Sequence, residues 1–123
     1  SQFSNQQLQM FVGRDLFAVF AARHPDVGDI EIFDDGDEVR VNVGRFTHLH
    51  FGPADDGATW RQDGERIASE VVAFLSDIFE NRLKFYVTRR TGGCVPIAAK
   101  QGVVSKLFLG PHQYFVWSGP FTD

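Results

Sequence analysis

The stretch ERIASEVVAFLSDIFENR, residues Glu65–Arg82, decides the fold because it carries the clearest helical pattern in the chain. Apolar residues recur there at the i, i+4, i+7 and i+8 spacing of one helical face, namely Ile67, Val71, Phe74, Leu75 and Ile78. Asp63 is the expected N-cap of this helix. Strand-like segments lie on both sides of it in sequence, so we expect the helix to pack across a sheet built from both groups.

The composition is that of one soluble acidic domain. The chain has 123 residues, of which 43% are hydrophobic, and a net charge of -4. Residues 1–62 hold ten acidic and five basic side chains, whereas the remainder holds six and seven. This uneven distribution indicates an acidic face formed by the first half. A chain with net negative charge is repelled by phosphates, so general nucleic-acid binding is disfavoured.

The N-terminal region predicts a first helix from Ser4 to about Arg23. Ser4 and Gln7 have the spacing of a capping box, and His24-Pro25 would end the helix. An apolar stripe supports this prediction: Leu8, Phe11, Val12, Leu16, Val19 and Phe20.

Two alternating segments, Asp29–Phe33 and Glu38–Val43, predict a hairpin around the Asp35-Gly36 turn. This turn would place Ile32 opposite Val39, so that the apolar faces match. A third strand, Arg45–Phe51, has two possible registers. The one that needs the longer loop buries more apolar surface, and we prefer it because it places Thr47, Leu49 and Phe51 on the valine face.

The C-terminal part predicts further strands and one long loop. The irregular stretch Gly52–Asp63 would be anchored by a partly buried Trp60. The predicted strands are Leu83–Thr88, Cys94–Ala99 at an edge because of Pro96, Val103–Leu109 and Tyr114–Ser118. The order α-β-β-β-α-β-(β)-β-β predicts an α+β fold, a two-layer sandwich with a mostly antiparallel sheet and both helices on one face, within a single domain spanning residues 1–123.

Cys94 is the single cysteine, so no disulfide can form within the chain, which favours a reducing, cytoplasmic location. No signal peptide is recognisable, and the longest apolar runs fall below the ~20 residues of a membrane span. Arginines precede Cys94, and local positive charge can activate a thiol, but the apolar segment that Cys94 begins favours a core residue. We expect no catalytic residue and no cofactor.

His48 and His50 are the candidate metal ligands. Two residues apart on a strand, both rings point to one side, as a metal site on one strand requires. A third ligand would come from His112, His24, Asp55 or Asp56, and the sequence places none of them. The alternative is a pair of histidines on a half-exposed sheet face.

The candidate partner-binding residues combine charge with aromatic anchors. Acidic side chains cluster at the hairpin tip and in the long loop, and two tryptophans are candidate anchors. The predicted set is Asp34, Asp35, Asp37, Glu38, Asp55, Asp56, Trp60 and Trp117.

Two resemblances bear on function. The runs VGRFTHLHF (Val43–Phe51) and ERIASEVVAFLSDIF (Glu65–Phe79) are similar to small bacterial proteins of largely unassigned function, among which are immunity partners of polymorphic or contact-dependent toxins. That resemblance implies a compact, acidic, non-catalytic binder. The order α-β-β-β-α-β is similar to small acidic secretion chaperones, which dimerise, although those end in a helix and this chain ends in strands.

Three hypotheses follow. The first is an immunity-type inhibitor, monomeric or homodimeric, that binds and blocks a partner toxin, for which a basic protein is the expected partner. The second is a small-molecule or metal-binding protein, or an enzyme, that uses His48 and His50 in a pocket under the 52–63 loop. The third is a secretion-chaperone-like dimer.

Overall fold

The computed structural model describes residues 3–53, 57, 59–88, 91–99 and 113–121. These residues form two antiparallel sheets and one helix. The first sheet has the order β1-β2-β3-β4-β5 and the second has the order β7-β6-β8-β9. In chain order the elements are β1 Leu8–Met10, β2 Leu16–Phe20, β3 Ile30–Asp34, β4 Val39–Val43, β5 Thr47–Phe51, α1 Trp60–Phe79, β6 Leu83–Val87, β7 Gly92–Pro96, β8 Tyr114–Val116 and β9 Gly119–Phe121.

The fold is therefore α+β, but the predicted helix over Ser4–Arg23 is wrong. Its residues form β1 and β2, which pair with each other. Gly13 lies between them at a φ of 75°, and Val12, a member of the predicted stripe, is 96% exposed. The run from Leu16 to Phe20 also alternates, and pairing with β3 buries Ala18 and Phe20 on one face. The single sandwich with two helices is accordingly replaced by two sheets and one helix.

The hairpin of β3 and β4 is confirmed, with a longer turn than predicted. Asp34 pairs with Val39 and Ile32 pairs with Val41, two positions from the predicted register. The Asp34 carboxylate accepts a hydrogen bond from the Gly36 amide at 3.0 Å, which stabilises the wider turn. A shift of two residues preserves the alternation, so the apolar faces still match.

The preferred register of the third strand is confirmed. Val41 pairs with Leu49, and Val39 pairs with Phe51. His48 and His50 therefore share the outer face of the sheet. The predicted strands at Leu83 and Tyr114 are present as β6 and β8. Among the described residues β7 lies at a sheet edge, but it spans Gly92–Pro96 and so begins two residues before the predicted strand Cys94–Ala99. The predicted strand Val103–Leu109 lies outside the described residues.

Helix α1 begins earlier than predicted, because Thr59 rather than Asp63 is its N-cap. The Thr59 hydroxyl accepts a hydrogen bond from the Gln62 amide, and the Gln62 side chain accepts one from the Thr59 amide. At the other end, Asn81 adopts a φ of 58°, a left-handed conformation that stops the helix.

The core lies between the sheets and α1, which contacts both β5 and β6. Ile67, Val71, Leu75 and Ile78 are buried, as the helical stripe predicts. Phe46 stacks on Phe85 with ring centroids 5.5 Å apart and so joins the two sheets.

Gly44 lies where the β4–β5 loop comes close to the segment before β3. Its φ is 49°, and a Cβ there would lie 1.8 Å from the Val27 carbonyl oxygen. Gly36 also has a positive φ, of 98°, but its Cβ would meet open space. Gly36→Ala should therefore cost only backbone strain of about 1–3 kcal/mol, whereas Gly44→Ala adds a steric clash. In urea unfolding, the free energy of unfolding of Gly44→Ala should be lower than that of Gly36→Ala by about 1 kcal/mol or more, which is the cost of one strained residue. Equal losses in the two variants would contradict the described loop.

Candidate functional site

A cleft of about 600 Å³ separates the N-terminal half of α1 from the first sheet. Phe17, Ile32 and Val39 form the sheet wall, and Ile67 and Val71 lie on the helix wall. Most of the lining is apolar, and the cleft opens to the surface. A concave apolar site of this size is the usual form of a binding site, so the cleft is the leading candidate.

Aromatic packing holds α1 at the end away from the cleft. Phe79, the last residue of the helix, packs against Phe3, Phe20 and Trp117 with ring centroids 5.2, 4.9 and 5.4 Å away. Near the start of the helix, Arg66 donates a hydrogen bond to the Gly52 carbonyl at 3.1 Å. These contacts fix the helix while leaving its first turns apart from β2, β3 and β4.

The small residues Gly64 and Ala68 keep the helix wall of the cleft shallow. They lie one turn apart on the same helical face, and a Cβ at Gly64 would meet nothing within 4 Å. Neither residue stood out from the sequence as part of a site. Their i, i+4 spacing beside Val71 and Val72 is the signal that could have marked them, but only the position of the sheet gives that face a cavity.

The mouth of the cleft is acidic. Asp37, Glu38 and Asp63 line it, and none of its described lining residues is basic. Asp63 is paired with Arg66 at 3.0 Å, and this hydrogen bond is the main cause that raises the pKa of Arg66 above its usual value. Asp37 is exposed and has neither a hydrogen bond nor an ion pair within the described part of the chain. Its charge is thus available to a ligand.

Trp60 stands at the same mouth, and 82% of its surface is exposed. The prediction that it anchors the preceding loop as a partly buried side chain is therefore wrong. It is the first residue of α1, and the only described side chain whose charge lies over its ring is Arg61, at 5.9 Å. A large exposed aromatic beside an apolar cleft is the kind of side chain that anchors a partner.

Trp117, the other candidate anchor, lies in the core. It has no exposed surface, and its indole Nε1 donates a hydrogen bond to the Gln6 side-chain oxygen at 2.8 Å. The fold therefore brings Asp37, Glu38 and Trp60 together but keeps Trp117 away from them. Asp34 ends β3 and Asp35 begins the turn that also holds Asp37 and Glu38, but neither of the two lines the cleft. Asp55 and Asp56 lie outside the described residues.

His48 and His50 lie on the opposite side of the sheet from the cleft. Their rings meet edge to face, with centroids 5.1 Å apart. Neither lines the cleft. The pocket and the histidine pair of the second hypothesis are thus separate features of the molecule. His50 instead meets Glu38, with Nδ1 2.7 Å from the carboxylate Oε1.

The Cys94 thiol is in an unreactive environment. It pairs with Phe85 across β6 and β7 and packs at the edge of the core. Burial raises the pKa of the Cys94 thiol above its ordinary value, because desolvation disfavours the thiolate. This is opposite to the lowered pKa of an activated nucleophile.

Comparisons of the chain with protein-family models, with curated proteins and with solved structures give no match. Among the described residues, α1 is the one helix, and it lacks the apolar character needed to cross a bilayer.

Cys94 gives a direct chemical test of this local environment. Its raised pKa means that at neutral pH the folded chain holds less thiolate than an unperturbed cysteine does. Since the thiolate is the reactive form, iodoacetamide should alkylate the folded protein more slowly than the urea-unfolded protein at the same pH. An equal or faster rate in the folded state would contradict the described burial.

Proposed function

We propose that this protein is a non-catalytic protein-binding module, an immunity-type inhibitor that binds and blocks a partner toxin in the cytoplasm of a bacterium. The observation that carries the proposal is the acidic mouth of an open apolar cleft beside the exposed Trp60. The lone, unpaired Cys94 supports the cytoplasmic location, because a reducing compartment needs no disulfide.

The shape of the cleft favours a helix-in-groove mode of binding. An amphipathic helix lays its apolar face into such a groove through residues spaced at i, i+3, i+4 and i+7. Gly64 and Ala68 allow a partner backbone to approach α1 closely, and Ile67 and Val71 offer apolar surface between them. Trp60 and Val72, both exposed at the cleft, would then be covered by the bound segment.

The charge of the cleft specifies the chemistry of the partner. A segment with apolar side chains in the groove and Lys or Arg beside them would place its cations near Asp37 and Glu38. The acidic excess in residues 1–62 extends this field and steers a basic partner toward the site. The same field disfavours nucleic acid as the ligand.

Other functions find less support. The secretion-chaperone alternative rests on an initial helix, and Leu8–Met10 and Leu16–Phe20 are strands. The small-molecule or enzymatic use of His48 and His50 needs both rings in one cavity. His48 lines a separate surface pocket of about 310 Å³, but His50 lines neither that pocket nor the cleft.

Filling the cleft provides the first test of the proposal. Ala68 and Ala73 are both exposed on α1, but only Ala68 lines the cleft. Leucine is a good helix former, so either substitution should leave the fold intact. Tagged wild-type protein should capture one stoichiometric partner from host lysate, and Ala68→Leu should weaken that complex about tenfold or more, a typical loss at a central interface residue.

Ala73→Leu is the matched control and should bind like the wild type. The captured partner should arrest growth when expressed alone, and co-expression of the wild type, but not of Ala68→Leu, should restore growth. Equal capture and equal rescue by the two variants would contradict docking in the cleft. A captured protein that is harmless when expressed alone would contradict the inhibitor assignment.

Charge reversal tests the electrostatic part separately. Asp37→Lys places a cation at the mouth of the cleft without removing any described contact. We expect slower association of the basic partner and a weaker dependence of the rate on salt, because the steering charge is lost. Association kinetics at low and high salt would measure this, with Glu65→Lys, an exposed acidic residue of α1 outside the cleft lining, as the control. Identical behaviour of the two variants would contradict the role of Asp37.

A further inference from the structure

The outer side of the β3–β4 hairpin holds a set of metal-ligating side chains. One ligand atom each from Asp35, Glu38 and His50 lies within 4.8 Å of the other two. The closest pair is Glu38 Oε1 and His50 Nδ1, at 2.7 Å. The set combines one imidazole nitrogen with two carboxylate oxygens, so it is more than an accumulation of acidic residues at a turn.

Strand register holds these three residues together. His50 on β5 pairs with Arg40 on β4, which places its ring beside the start of β4, where Glu38 lies. Asp35 belongs to the turn that connects β3 to β4, and its amide donates a hydrogen bond to the Glu38 carbonyl at 3.0 Å. The ligands thus come from the β3–β4 turn, which holds Asp35 and Glu38, and from β5, which holds His50 and pairs with β4.

Arg40 forms an ion pair with the Asp35 carboxylate. Its Nε lies 3.2 Å from Asp35 Oδ2, and its guanidinium carbon lies 4.2 Å from the centre of the Phe33 ring. This is an ion pair without hydrogen-bond geometry, since Arg40 Nε has no hydrogen-bond partner among the described residues, and it leaves Asp35 Oδ1 available to a metal. With Asp35 and Glu38 ionised and Arg40 charged, the group carries a net negative charge that a divalent cation would offset.

We propose that Asp35, Glu38 and His50 form a binding site for a divalent transition-metal ion of the zinc class. Zinc accepts imidazole nitrogen at 2.0–2.1 Å and carboxylate oxygen at about 2.0–2.2 Å, and three protein ligands leave its fourth position to water. The imidazole disfavours Mg²⁺ and Ca²⁺, which take oxygen ligands. Binding would displace the proton of the present hydrogen bond, and Glu38 Oε1 and His50 Nδ1 would have to move apart from 2.7 Å for a tetrahedral ion to bind both.

The site goes beyond the proposed binding function and stands on the other face of the sheet. The two are linked by Glu38, which also lines the mouth of the cleft. A bound cation would reduce the negative charge that this residue presents there.

The test is a titration of the chelator-treated full chain with ZnCl₂, followed by calorimetry and by metal analysis after dialysis. We expect one zinc ion per chain. His50→Ala and Glu38→Gln should each weaken binding by about tenfold or more, as the loss of a coordinating or orienting group does. His24→Ala, which alters a histidine that lies against Gly119 in the second sheet, should bind zinc like the wild type.

Three outcomes would overturn the proposal. The first is the absence of zinc binding by the folded wild-type chain. The second is an unchanged zinc affinity of Glu38→Gln. If His48→Ala then abolishes zinc binding, the histidine pair alone holds the metal. The third is loss of binding in Cys94→Ser, which would place the ion at the thiol. Circular dichroism of each variant establishes that it remains folded, and Glu38→Gln keeps the shape of the side chain it replaces.

Discussion

The packing of Phe79 against Phe3, Phe20 and Trp117 is the interaction on which the rest of the structure depends. It brings together the N-terminal segment, strand β2, the end of the helix and the C-terminal region, which are far apart in sequence. Each such ring pair contributes roughly 0.5–1.5 kcal/mol beyond the burial of its surface. The hydrogen bond from Trp117 to Gln6 closes the same cluster, so that no polar atom of the indole is left unsatisfied in the core.

The aromatic packing lies at one end of the helix and the cleft at the other. A helix of 20 residues is about 30 Å long. Five-residue strands extend about 17 Å, and five strands side by side span about 19 Å between the outer two. The first sheet is shorter than the helix in either direction and cannot cover it from end to end. The cleft lies between this sheet and the part of α1 that holds Gly64 and Ala68, and the acidic turn before β4 forms its rim.

The sequence predicted the structure correctly where the deciding interactions join residues that are close in sequence. The β3–β4 hairpin, the register of β5 and the apolar face of α1 follow from alternation or helical spacing, and in each the burial of one face excludes the other. The shared face of His48 and His50 follows in the same way. Their contact with Glu38 was not predicted, although the confirmed β4–β5 register, in which Arg40 pairs with His50, places Glu38 diagonally opposite His50 on the same face.

The sequence by itself determined an α+β domain, the central helix and the acidic, aromatic character of its surface and core. Only the tertiary structure decided that Ser4–Arg23 forms strands and not a helix. Its apolar residues fit both the helical and the strand period, and pairing with β3, which buries Ala18 and Phe20, favours the strand. The tertiary structure also decided which tryptophan is exposed. Trp60 and Trp117 have the same side chain, and burial depends on what packs against it: the aromatic cluster encloses Trp117, whereas the helix start carries Trp60 beyond the edge of the sheet.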